Sequence, residues 1–192
     1  MIATENFVQV EVHSQEDLRD WLAGHFDQEE SIWLVTYKKS KPDKYVGTGQ
    51  VLDELLCYGW IDGVRRKLDE HRTMQLISPR RVQHWAKSYK DRAARLIAEG
   101  KMHPAGLRSI ALSKENGLWD FMNDVDQLII PDDLAEALQA KPAAQAFFQA
   151  INNSSKRNAL RWLKLAKTDK TRRSRITKLV AHSAQGEKLP GS

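Results

Sequence analysis

Residues 55–80 decide the fold. The stretch opens Leu55-Leu56-Cys57-Tyr58-Gly59-Trp60-Ile61-Asp62-Gly63-Val64-Arg65-Arg66 and closes Leu76-Ile77-Ser78-Pro79-Arg80. Val51, Leu52, Leu55 and Leu56 have the spacing of one helix face, and Gly59 stands where that helix must end. Residues 61–66 and 72–77 then read as two strands, with Leu68-Asp69-Glu70-His71 as the hairpin loop between them. Pro79 cannot donate to a strand ladder and closes the second strand. A helix end, a turn and a hairpin therefore meet around the only cysteine of the chain and a dense set of arginines.

Outward from this stretch the pattern divides. Before it, Phe7-Val8-Gln9-Val10-Glu11-Val12 alternates with the period of a half-buried strand. Ser14 reads as a helix N-cap with Asp17 in the capping-box position; Leu18, Trp21 and Leu22 form the apolar face and Gly24 lies near the end. Residues 31–37 are rich in β-branched and aromatic side chains and predict a second strand. Residues 38–44 hold four lysines around Pro42, a basic loop. Gly47-Thr48-Gly49 follows, but Leu52 occupies the place of a third glycine and no Gly-Lys-Ser or Gly-Lys-Thr occurs, so a phosphate-binding loop is not supported.

After the stretch the period is helical. Ser88 is placed to cap a helix with Ala93, Leu96 and Ile97 inward, and Gly100 stops it. Pro104 opens the next, with Leu107, Ile110 and Ala111 inward. Leu118, Trp119 and Phe121 read as a core anchor in a connecting segment. Pro131-Asp132-Asp133 heads a short helix with acids at its positive end. Pro142 opens another helix, Asn153 or Ser154 caps the one bearing Ala159, Trp162 and Leu163, and Thr168 caps the last; Gly186 and Pro190 mark the tail. The fold class is α+β: an N-terminal α+β half over residues 1–83 and a helical half with basic C-terminal helices over residues 84–192, able to form one compact unit.

Composition narrows the function classes. Hydrophobic content of 41% and charged content of 29% suit a globular chain and argue against disorder. No apolar run approaches the roughly 20 residues of a membrane span. Residues 1–6 lack a basic region followed by an apolar one, and one cysteine cannot form an internal disulfide, so the expected compartment is the cytoplasm. The net charge of +5 is uneven. Residues 156–188 carry eleven Lys or Arg, whereas every charge in residues 115–136 is acidic. The two runs either dock on each other or leave a basic face for an anionic partner.

At Cys57-Tyr58-Gly59-Trp60-Ile61-Asp62-Gly63 the chain resembles the YdeI/OmpD-associated family of bacterial proteins, also called bacteriocin-protection proteins. The likeness runs through Ser78-Pro79-Arg80-Arg81, Trp85, Gly100-Lys101-Met102 and Pro104-Ala105-Gly106. It continues in Pro131-Asp132-Asp133-Leu134, Trp162-Leu163, Ala166-Lys167, Thr171-Arg172 and Arg175-Ile176. It covers most of the chain from about residue 30 onward. Tyr58 replaces the family's usual Phe, and Leu76-Ile77-Ser78 replaces its Phe-Thr run before Pro-Arg. The resemblance implies a stress-response link, to bacterial resistance against antimicrobial peptides or to envelope stress; it brings no reaction, cofactor or catalytic residue.

The candidate ligand-binding residues are Trp60, Asp62, Arg65, Arg80 and Trp85, gathered by the turn and hairpin. Arginine forks bind carboxylates through paired hydrogen bonds, so Asp62 is expected to hold Arg65 or Arg80. The two tryptophans serve either as core or, beside Arg80 and Arg81, as walls for a flat or anionic ligand. Cys57 reads as a small buried hydrophobe, and as a nucleophile only if its thiolate forms. Arg157, Arg161 and Lys164 share one helix face, and Arg172 and Arg175 follow on the next; these five form the candidate face for an anionic partner. No metal or cofactor motif occurs: the six histidines are scattered and there is no His-Glu-x-x-His or Cys-x-x-Cys. The leading reading is a binding or stress-tolerance protein for an unidentified small-molecule or protein partner. Two alternatives stand beside it: an enzyme using Asp62 or Cys57, and a nucleic-acid binder using the basic helices, which lack any helix-turn-helix or RNA-binding signature.

Overall fold

The computed structural model describes residues 6–189; the expectations that rest on residues 1–5 and on Pro190 lie outside them. The fold is α+β, and contacts divide the chain into two units, Met1–Asp120 and Phe121–Ser192. This division falls later than the change of sequence pattern at residues 83 and 84. The reason is that the first two helices after the hairpin share the core of the sheet: Ala93, Leu96 and Ile110 sit in the same apolar cluster as Ile32, Leu34 and Ile77.

The first unit is built on a four-stranded sheet of order β1-β2-β4-β3. Strand β1 (Gln9–Glu11) runs parallel to β2 (Ile32–Tyr37), so the chain must cross over between them. Helix α1 (Gln15–His25) makes that crossover, with Ser14 as its N-cap accepting from the Asp17 amide at 3.0 Å. Helix α2 (Thr48–Cys57) then leads into the hairpin of β3 (Trp60–Lys67) and β4 (Arg72–Pro79). In the loop, one carboxylate oxygen of Asp69 accepts from the His71 and Arg72 amides at 2.8 and 2.7 Å, an Asx turn that fixes the register. Helices α3 (Lys87–Ala98) and α4 (Pro104–Glu115) pack against α2.

Two glycines let these layers close. Gly59 has φ +75°, a left-handed conformation that lets α2 end and β3 begin within two residues. Gly106, near the start of α4, faces the C-terminal end of α2 so closely that a Cβ there would lie 2.3 Å from the Cys57 carbonyl oxygen and 2.7 Å from that of Leu56. Helix α4 thus docks backbone to backbone on the turn that carries the candidate site.

The regular elements among the second unit's described residues are α5 (Asn123–Asp126), α6 (Asp132–Gln139), α7 (Pro142–Ala150), α8 (Asn153–Lys164) and α9 (Asp169–Ala184). Its core joins Leu134 and Leu138, Phe148, Leu160 and Leu163, and Ile176, Leu179 and Val180. Thr168 caps α9 as expected, whereas α8 is capped one residue earlier than expected, by Asn152, whose side chain accepts from the Ser155 amide at 2.9 Å. Helix α3 starts before Ser88, with Ala86 at its N-cap. Ile97, Leu107 and Phe121 are exposed rather than inward.

Candidate functional site

The site is assembled by the helix end, the turn and the two strands of the hairpin. The Arg80 amide donates to the Gly59 carbonyl at 2.9 Å, which ties the end of β4 to the start of β3. Trp60 pairs with Pro79 and Asp62 with Ile77, so both side chains lie on the face of the sheet that also presents Ile77 to the core. A bulge between Asp62 and Arg65 inserts one residue into β3. It places Arg65, rather than Val64, opposite Gln75 and therefore on the same face as Asp62.

The Asp62 carboxylate does not pair with an arginine. One of its oxygens accepts a short hydrogen bond from the Tyr89 hydroxyl on α3; the other accepts from the Gln75 side-chain amide at 3.3 Å. Arg65 reaches this pair indirectly, donating to the Gln75 amide oxygen at 2.6 Å and to Thr48 at 3.3 Å. Tyr89 and Gln75 are members of this site that the sequence pattern did not single out. Gln75 left a signal: it shares a sheet face with Ile77, so a polar side chain stands at a core-facing position of a strand. Tyr89 left none, because its partner lies 27 residues away. Burial, reinforced by the hydrogen bond to Asp62, pushes the Tyr89 phenol well above its ordinary pKa and keeps it a donor.

Arg80 is the unusual member. It is only 8% exposed. Its guanidinium lies 4.1 Å from the Trp85 ring centroid and 5.6 Å from that of Tyr89, so two aromatic rings flank it. One terminal nitrogen donates to the Gln83 carbonyl at 3.4 Å, and Nε has no acceptor among the described residues. No carboxylate of the described residues lies within ion-pair distance of it. Desolvation pushes its pKa down to about 10, opposed by the negative charge of Asp62 nearby; it remains a cation at neutral pH.

The five expected residues divide accordingly. Asp62, Arg80 and Trp85 come together, with Tyr89 between them. Trp60 and Trp85 are each 1% exposed and each has an indole N–H without an acceptor among the described residues. Trp60 packs edge-on against Trp21 at 5.6 Å, and Trp85 lies 4.8 Å from Trp119. They support the site from within the core rather than offering open ring faces. Arg65 lies at the exposed end of the network. Cys57 is fully buried, and desolvation pushes its thiol up to about 11, so it carries no useful thiolate at neutral pH. Among the described residues no three His, Cys, Asp or Glu side chains gather as they would around a metal ion.

The basic face belongs to the second unit and is largely occupied by its own acids. Lys164 pairs with Asp124 at 2.5 Å, and Arg172 grips Asp133 through two hydrogen bonds of 2.6 and 2.8 Å. Arg157 donates to the Asp126 carbonyl at 3.3 Å, and Arg175 bonds the Trp162 carbonyl and covers its ring at 5.0 Å. Arg161 makes no such contact among the described residues. The acidic run and the basic run therefore meet inside one helical unit, and the Asp133–Arg172 fork joins the Pro131-Asp132-Asp133-Leu134 motif to Thr171-Arg172.

Comparison with known proteins divides the chain in a similar way. Residues 10–109, just over half of the chain, match the model of a domain of unknown function, DUF8412. Residues 127–186 match the model described as bacteriocin-protection, YdeI or OmpD-associated. The motifs around Cys57, Pro79 and Pro104 fall within the first match, and those from Pro131 to Ile176 within the second. No curated protein and no solved structure matches. No helix of the described residues is long and apolar enough to cross a membrane.

Proposed function

Because the chain belongs to the DUF8412 family and carries, in residues 127–186, a domain of the family linked to bacteriocin protection, we propose that it is a cytoplasmic stress-tolerance protein that acts by binding rather than by catalysis. Its ligand is a small oxyanion, a carboxylate or phosphate, anchored on Arg80 and oriented by Asp62, Tyr89 and Gln75. The observation that carries this reading is the buried guanidinium of Arg80, which has an Nε–H donor without an acceptor and no carboxylate within ion-pair distance. Buried charges are costly unless paired, and buried donors nearly always find acceptors. A ligand oxyanion supplies both at once, and arginine presents its donors in the fork that such groups fit.

The Asp62–Tyr89–Gln75 cluster supports a positioning role. Both carboxylate oxygens of Asp62 are already engaged, so the group stays fixed as a rim of negative charge beside the cation. That rim favours a ligand bearing a hydroxyl or amine next to its anionic group. The test is a thermal-shift series with succinate, citrate, malate and inorganic phosphate, since a ligand that binds only the folded state raises its stability. Malate is expected to stabilise more than succinate, and Asp62→Asn to remove that preference. Equal responses to all four, or none, would refute the assignment.

A further inference from the structure

We propose that the first unit carries a second ligand site, a cleft of about 610 Å³ between the start of α1 and α2, and that it takes a saccharide. The cleft lies on different residues from the Arg80 site. Its size is that of a small-molecule pocket. Its floor is Glu54, which is buried although it is a carboxylate. One Glu54 oxygen accepts from the Gln15 amide at 2.6 Å and the other from Arg19 at 2.9 Å. Gln15 in turn accepts from the Gln50 amide at 3.0 Å, and the Gln50 oxygen accepts from the Gly47 amide at 2.8 Å. Arg19 also donates to the Lys101 carbonyl at 3.0 Å.

This chain of bonds holds three planar side-chain groups in fixed orientations along one wall. Each retains capacity that the chain does not use: one N–H on each glutamine amide, and further lone pairs on the Glu54 oxygens. Donors and acceptors thus alternate over a few ångströms. A hydroxyl is at once donor and acceptor, so a molecule with vicinal hydroxyls matches such a wall and leaves the buried Glu54 carboxylate paired. Tyr45 lines the same cleft with its ring part-exposed, an apolar face with a polar tip for the C–H face of a sugar ring.

The charges disfavour an anion. Arg19 offsets Glu54, and Lys101 is held by Glu99 at 2.8 Å. Glu16 and Asp43 also line the cleft and add negative charge, so an anion is disfavoured there. An amine is the competing occupant, and the experiment separates the two.

The amide spectrum of the full 15N-labelled chain is recorded during titration with cellobiose, maltose, N,N′-diacetylchitobiose and, separately, lysyl-glycine. At least one disaccharide is expected to shift amides around Gln15, Tyr45 and Gln50. Tyr45→Ala is expected to weaken that disaccharide about tenfold, while Tyr45→Phe, which keeps the ring, binds within a factor of about two of the parent. The proposal is overturned if no disaccharide shifts these amides, if Tyr45→Ala binds as the parent does, or if lysyl-glycine alone occupies the cleft. Shifts confined to Asp62, Arg80 and Tyr89 would likewise overturn it and would place the sugar at the other site.

Discussion

Gly106→Ala is the substitution through which the packing of the site is most sharply tested. A Cβ at this position would stand 2.3 Å from the Cys57 carbonyl oxygen, against about 3.3 Å for an ordinary close C–H to oxygen contact. The atom it meets is backbone at the end of α2, so no side chain can swing aside. Either α4 recoils by about 1 Å or the turn through Gly59 moves. Overpacking of this kind costs about 1–3 kcal/mol, and the clash with a fixed carbonyl belongs at the upper end. Replacing Gly within a helix returns up to about 1 kcal/mol, less here because Gly106 lies in the first turn of α4. The net loss is about 2 kcal/mol, which for a unit of this size lowers the melting temperature by roughly 5–10 °C. Gly24→Ala is the matched control: it lies in the last turn of α1 with nothing within 4 Å of the added Cβ, and is expected to stabilise by up to about 0.5 kcal/mol. Melting curves followed by circular dichroism decide the comparison. A Gly106→Ala chain as stable as the parent would refute the backbone-to-backbone docking of α4 on the site turn.

Other expectations follow from single contacts. Cys57, with its thiol raised to about 11, is expected to react with a disulfide reagent at pH 7 only as fast as the protein opens, and rapid labelling of the folded chain would contradict its burial. Glu11 is lowered to about 2 by the Tyr37 hydroxyl, despite some desolvation and with help from Arg72, and Asp69 is lowered to about 2 by Arg72. Groups depressed on folding contribute stability that is complete above their unfolded pKa values near 4 and is lost as pH falls toward 2; Glu11→Gln should flatten the melting temperature over that window, and an unchanged slope would contradict the cluster. Asp133→Asn frees Arg172 from an exposed fork and should cost no more than about 1 kcal/mol. Together with Asp124→Asn it should raise affinity for random DNA measured at fixed salt, because two cations are released; unchanged binding would show that pairing is not what restrains this face.

The hairpin was legible because its signals are local. Asp69 in a four-residue loop, Pro79 at a strand end and Gly59 at a helix end each restrict the backbone at their own position. The end of the first unit was not legible, since the change from strand to helix period at residue 83 marks a change of element and not of core; Ala93 and Leu96 return to the sheet. The site was half legible. Arginines and tryptophans stood out by their type, but the partner of Asp62 did not, because opposite charge suggested an arginine while topology supplied Tyr89 and Gln75. The bulge that turns Arg65 toward Gln75 depends on strand register, which no single residue announces. In the second unit the two charge runs were visible, and the Asp133–Arg172 and Lys164–Asp124 pairs favour the docking of one run on the other.

In the proposed function Arg80 is kept buried for a ligand and not for the fold. Arg80→Met measures it most directly, with melting temperatures taken without anion and with saturating malate or phosphate. Methionine fills similar space against Trp85 and removes a buried charge that has no carboxylate within ion-pair distance. The expected result is an anion-free melting temperature equal to or above that of the parent, together with complete loss of the anion-induced rise. A drop of many degrees in the variant, with no anion response in the parent, would make Arg80 a structural latch between β4 and α3 and would refute its role as a ligand anchor.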